Sequence, residues 1–222
     1  MVLLDNDVAL KVCRYALHEE ALAALSRRGP VAVLGTAKYV LPPLLARARG
    51  VGDGPGAAAA LDRLLAAAEA VEPSGAEVGL AAAFEEEALR LGAPLDGGES
   101  LLLAVLVLRP ADLMLTGDKR AVGAAGRVLA DPHAGAAAGR VACLEQLAAT
   151  LLAVVGVDAM RARVCADAAA DKSLAVCFAC ASPRPCAGDD ALVGLSSYVR
   201  HLRGAAPGLL VPSDDLSAAL AA

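Results

Sequence analysis

Short apolar runs recur along the chain at wide intervals: VLL at 2–4, VAVL at 31–34, AVE at 70–72, DLMLT at 112–116 and RVAC at 140–143. Long stretches with helical character separate them. The first, 7–25, places Val8, Val12, Tyr15, Ala16, Leu22 and Leu25 at helical spacing before Arg28-Gly29-Pro30 ends it. Further helices are expected at 38–49, 57–68, 77–91, 99–108, 119–129 and 144–155, with Pro42-Pro43 confined to the first turn of 38–49 or breaking it. The run at 31–34 reads as a strand or an irregular connector. Strands separated by helices define an α/β class, a parallel sheet covered on both faces in a three-layer α/β/α sandwich.

After residue 156 the strand signals fade. Residues 161–180 and 191–203 read as helical, joined by the loop SPRPCAGDD, and the tail GLLVPSDDLSAALAA either packs on the body or frays. The expected organisation is a domain at 1–155 followed by a helical extension at 156–222. Composition agrees with a folded, helix-rich chain: 57% hydrophobic residues, mostly Ala and Leu, and a mean hydropathy of +0.56. Aromatics make up only 2% with no Trp, which argues against stacking platforms for single-stranded nucleic acid. A net charge of −5 leaves no overall basic footprint, so a polyanion would have to be held by local Lys and Arg together with bound cations.

The first residues lack the basic flank and cleavage site of a signal peptide, and the apolar runs 101–108 and 147–157 are too short to span a membrane. With six cysteines and no secretory feature, the reading is a soluble cytoplasmic protein in a reducing compartment.

Three stretches carry acids just past a strand or at the start of a helix: LLDND (Asp5, Asp7), LDGGES (Asp96, Glu99) and MLTGDKRA (Asp118). Each acid taken alone reads as a helix cap or a first-turn partner of the helix dipole, and Asp96 with Glu99 forms a variant capping box. Taken together they read as a ligand set. In a parallel sheet all strands end at one edge, where sites gather at the topological switch point, so Asp5 and Asp118 share that edge. The same logic sets Glu99 at the opposite edge unless its helix lies obliquely. Converging carboxylates repel and shift their pKa values unless a cation sits among them, and Mg²⁺ or Mn²⁺ suits oxygen ligands.

LLDNDVAL, GGESLLLAVL and DLMLTGDKRA, in that order and at those intervals, resemble the PIN domain over roughly residues 1–150. The resemblance implies an α/β/α sandwich and a metal-dependent nuclease acting on RNA. It implies that Asp5, Glu99 and Asp118 form one metal pocket for Mg²⁺ or Mn²⁺, with Thr116 as the hydroxyl residue ahead of the last acid. Lys119, Arg120 and Lys38, with Lys11 and Arg14, become candidates to guide the phosphate backbone, although each is also an ordinary solvated helix residue. The family's usual Glu early in its second helix has no counterpart, since no acid lies between Pro30 and Gly50 and Lys38 stands near its place. Asp7 or Asp96 are the candidate replacements. Without one, the chain reads as a degenerate relative that binds RNA or serves as a partner subunit. A small protein inhibitor or a second copy is a further candidate partner.

Phosphatases of the haloacid dehalogenase class also open on an apolar strand and D-x-D, but TGDKRAVG lacks the second acid they need. Cys165, Cys177, Cys180 and Cys186 offer a C-x₂-C pair and two nearby thiols, either a zinc site or buried structural thiols. Cys13 and Cys143 fall on core faces. His18 and His201 read as surface residues, and His133 as part of a loop.

Overall fold

The computed structural model describes residues 1–129 and 133–221. Among them, five strands form one sheet: β1 (Val2–Leu4), β2 (Val31–Leu34), β3 (Glu69–Val71), β4 (Leu113–Thr116) and β5 (Val141–Cys143). Their order is β3-β2-β1-β4-β5 and every neighbouring pair is parallel. Helices α1 (Asn6–Arg14) and α2 (His18–Leu25) follow β1, and α3 (Ala37–Arg47) and α4 (Gly54–Ala67) follow β2. Next come α5 (Gly75–Leu91) and α6 (Gly97–Leu108), then α7 (Lys119–Val128) and α8 (His133–Ala137) between β4 and β5. The chain ends with α9 (Leu144–Val155), α10 (Val157–Ala166), α11 (Lys172–Cys177), α12 (Gly188–Ala205) and α13 (Ser217–Ala221).

Strands β1, β2, β4 and β5 are buried along their whole length because both faces are covered, while β3 at the sheet edge exposes Glu69 and Ala70 and buries Val71. Successive side chains alternate, so Val2, Leu4, Leu113 and Leu115 enter one core while Leu3 and Met114 enter the other. The chain after residue 156 joins both cores. Within α12, Leu195 packs into the first and Val199 and Leu202 into the second. The tail packs as well: the Val211 amide donates to the Val141 carbonyl at 2.8 Å, and Leu216 and Leu220 are buried.

Three helices differ from expectation. The stretch 7–25 is two helices, because Ala16 adopts the left-handed conformation (φ 52°) and turns the chain. Arg163, from α10, donates to the Ala16 carbonyl freed by that turn. The stretch 161–180 is also broken, with Asp167 ending α10 and Asp171 capping α11. In contrast, α3 runs through Pro42 and Pro43 in its second turn. Neither proline has an N–H for the carbonyl four residues back, but those residues, Lys38 and Tyr39, lie at the surface, where water can serve. His18 is buried, accepting from Arg63 Nε at 3.1 Å, and His133 opens α8 rather than lying in a loop; His201 is exposed as expected. No helix among the described residues is long and apolar enough to cross a membrane.

An ion pair between the buried Glu77 carboxylate and the partly exposed Arg109 pins α5 to the end of α6. Glu77 closes a capping box with Ser74 and receives two bonds from Arg109, at 2.5 and 2.6 Å. The Arg109 bonds hold the Glu77 carboxyl at about 2, well below its ordinary value, against the opposing effect of burial. A carboxyl depressed on folding contributes stability that is present above its unfolded value and is lost as pH falls towards its folded one. Glu77→Gln should therefore cost roughly 2 kcal/mol at neutral pH. Urea unfolding of wild type and variant should give curves that converge as the pH is lowered from about 5 towards about 2; a gap unchanged by pH would contradict this.

Candidate metal centre at the carboxyl edge of the sheet

Strand order reverses at the centre of the sheet. The chain leaves β1 towards β2 and β3, then crosses back to place β4 on the other side of β1. A crevice opens at such a point, between the carboxyl ends of β1 and β4. Asp5 follows β1, and Gly117-Asp118 follow β4. A cleft of about 1200 Å³ lies there, lined by Asp5, Asp7, Asp96, Glu99, Asp118 and Asp171 together with Lys11, Lys119, Arg120 and Lys172.

Glu99 reaches this edge by simple geometry. A helix that feeds a parallel strand must first run back across the sheet, so the first turn of α6 lies where β4 ends. The opposite-edge placement expected for Glu99 is thus corrected, and no oblique helix is needed. Glu99 and Asp96 form the reciprocal capping box anticipated for them, with bonds of 2.9 and 3.0 Å.

The acids differ in what holds them. Asp5 occupies the N-cap position of α1, yet its side chain makes no capping bond. Its carboxylate, 7% exposed, accepts from the Thr116 hydroxyl at 3.1 Å. The Thr116 oxygen in turn accepts from the Asp118 amide at 3.2 Å, so one buried hydroxyl links the ends of β1 and β4. Asp118 caps α7 through the amides of Arg120 and Ala121, and its other oxygen meets Arg120 Nη2 at 2.9 Å. Asp7 pairs with Lys11 at 2.6 Å and lies so close to Gly117 that a Cβ there would stand 2.1 Å from its Oδ2. The glycine of the TGD run therefore leaves room for Asp7.

The electrostatics follow from this crowding. Burial, and then Asp7, push the Asp5 carboxyl up to about 6. Burial pushes Glu99 up to about 8; Asp96, Asp5 and Asp118 add repulsion, while the Asp96 amide opposes them. Burial also raises Asp118, but Arg120 and the capping amides outweigh it and leave that carboxyl below its ordinary value. As the side chains stand, no three His, Cys, Asp or Glu residues among the described residues are gathered tightly enough to hold a metal ion. Glu99 and Asp118 are turned towards their capping bonds. The donor set is nonetheless one of hard oxygen ligands, and Asp5 and Glu99 within it have no salt-bridge partner among the described residues, which is the chemistry that suits Mg²⁺ or Mn²⁺.

The basic residues are placed unevenly. Lys119 turns inward to Glu145 at 2.7 Å, with Asp171 at 3.9 Å and the Tyr198 ring at 5.7 Å. Lys11 sits between Asp7 and Asp171, and Arg14 grips Asp167 through two bonds of 2.8 Å. Arg120 is exposed beside Asp118. Lys38 is not part of the cleft wall; it is exposed, its Nζ 5.0 Å from the Tyr39 ring centre. The face of α3 that meets the cleft carries Thr36, Val40 and Leu44, so no acid enters from that helix.

Cys165 and Cys180 are joined in a disulfide that ties α10 to the end of the α11 region. This corrects the four-cysteine zinc arrangement: two of its sulfurs are bonded to each other, while Cys177 and Cys186 are separately buried thiols. It also runs against the expectation of fully reduced cysteines. Cys13 and Cys143 are buried, as their core positions implied.

Two residues of the cleft region escaped sequence reasoning. Glu145, completely buried, lies two residues past β5 and so carries the same acid-after-strand signal as Asp5 and Asp118. Lys119 is its countercharge, and neither of its oxygens takes a well-angled hydrogen bond. Asp171 lay hidden in an apparently continuous helix; the Asp-Lys-Ser run before LAVC is the N-cap signal that marks it. Comparison with protein-family models, curated proteins and solved structures found no match to this chain.

Thr116→Val removes the only side-chain donor to Asp5 among the described residues. Because that bond favours the ionised form, the Asp5 carboxyl should titrate above about 6 in the variant. Carboxyl carbon shifts followed through a pH titration check this, and an unchanged or lower midpoint would contradict it.

Proposed function

We propose that this chain is a metal-dependent nuclease that hydrolyses RNA phosphodiester bonds, with Asp5, Glu99 and Asp118 holding Mg²⁺ or Mn²⁺, in keeping with its resemblance to the PIN domain. The observation that carries the reading is Asp5: a buried carboxylate in a helix-capping position that caps nothing, at the switch point of a parallel sheet, facing two more acids. A stabilising cap would have been the economical use of an Asp there.

A bound divalent ion supplies charge neutralisation at a phosphate and a water of lowered pKa. The chain's own residues then have defined tasks. Thr116 orients the Asp5 carboxylate and fixes its distance from the Asp118 backbone. Glu99, on the α6 side of the cleft, would hold the cation as a carboxylate. Arg120 and Lys172 lie on the cleft wall, where they can meet the phosphates of a strand by charge alone. With few aromatics, recognition would rest on backbone charge and shape rather than on base stacking.

A second reading has one observation in its favour. The α3 wall offers Thr36, Val40 and Leu44 where a further acid would strengthen cation binding, which fits an RNA-binding relative without cleavage.

One assay separates them. Wild type with Mn²⁺ or Mg²⁺ should cut generic single-stranded RNA, and Asp5→Asn or Asp118→Asn should reduce the rate by on the order of 100-fold, the scale of losing one preorganised electrostatic group. Binding without cleavage in either metal would favour the second reading. Cleavage undiminished in both variants would contradict the first.

A further inference from the structure

Asp171 comes from the far end of the chain, yet it stands on the cleft wall. Its two carboxylate oxygens have different partners. Oδ1 accepts from the amides of Ser173 and Leu174 at 2.9 and 3.0 Å, capping α11. Oδ2 accepts from Lys11 Nζ at 2.8 Å and lies 3.9 Å from Lys119 Nζ. Lys11 rides on α1, the helix that Asp5 precedes, and Lys119 follows Asp118 directly. A single oxygen thus ties together the two elements that carry Asp5 and Asp118. Asp7 and Glu145 press the same lysines from their other sides, so neither ammonium group is left to wander.

We propose that Asp171 is a positioning residue for RNA cleavage: it holds Lys11 and Lys119 at fixed places on the cleft wall, in register with Asp5 and Asp118, for contact with the phosphates of a bound strand. This rests on the nuclease reading above. The helical extension then completes the site rather than merely decorating it. A lysine held by carboxylates on two sides presents its charge at one place; released on one side, its long stem lets it follow the strand wherever that lies. Losing the Asp171 charge therefore leaves binding intact or tighter and makes it less productive.

Asp171→Asn is the informative change, since Asn caps a helix as well as Asp does and α11 is kept. Two measurements are read on it. In the first, the intact protein is treated briefly with an amine-reactive ester and lysine modification is mapped by mass spectrometry. In wild type, Lys11 and Lys119 should react several-fold more slowly than the exposed Lys38 and Lys172; in Asp171→Asn both should speed up, and in Asp171→Glu, which restores the charge, both should slow again. In the second, RNA cleavage is followed with Mn²⁺: kcat should fall about 10- to 100-fold, the scale of removing an outer-shell partner, with KM unchanged or lower, and Asp171→Glu should recover part of the loss. Unchanged lysine labelling in Asp171→Asn overturns the inference, as does cleavage equal to wild type. Altered labelling with no cleavage by wild type overturns the nuclease reading and leaves the positioning of the lysines standing.

Discussion

All five strands point the same way, and the rest of the molecule follows from that constraint. Parallel pairing sends every strand end to one edge and leaves a crevice where the order reverses between β1 and β4. Acids that follow strands are then neighbours in space however far apart they lie in sequence: Asp5, Asp118 and Glu145 all obey this rule. Helix α6, obliged to run back before β4 can begin, delivers Glu99 to the same edge. Burial raises the carboxyls of Asp5 and Glu99, and the crowding of neighbouring acids adds to it.

The molecule resolves this repulsion in two ways. Most of the acids are neutralised by partners of the chain itself: Asp7 and Asp171 by Lys11, Asp118 by Arg120 and the buried Glu145 by Lys119. At the centre, among the described residues, the Asp5 side chain accepts from the Thr116 hydroxyl and the Glu99 side chain from the Asp96 amide. The cap reading and the ligand reading of these acids are therefore not rivals everywhere. Asp96 and Asp118 do cap helices, and a capping bond uses one face of a carboxylate while leaving other lone pairs available. Asp5 alone has no such second duty.

How much of this could be read from the sequence depended on range. Both faces of β1, β2, β4 and β5 are buried, so these strands stood out as short apolar runs, and the α/β sandwich followed from their spacing. Local chemistry was also legible: the Asp96–Glu99 box and the Thr116-Gly117-Asp118 turn are set by residues within three positions of one another. What failed was long-range. The break at Ala16 has no Gly or Pro to announce it and is supported by Arg163, almost 150 positions away. The break before Asp171 is held by Lys11 and Arg14, on the other side of the chain's middle. His18 was expected at the surface because its burial depends on Arg63 from α4. The disulfide between Cys165 and Cys180 depends on a turn that a continuous helix would not have made.

The central claim is that Asp5, Glu99 and Asp118 together can take up a divalent cation. Diffraction from crystals grown with Mn²⁺, recorded where manganese scatters anomalously, tests it without reference to any substrate. An anomalous peak is expected within ligand distance of the Asp5 carboxylate, with Glu99 and Asp118 swung towards it. Manganese bound elsewhere at full occupancy, with these three carboxylates still apart, would contradict the claim.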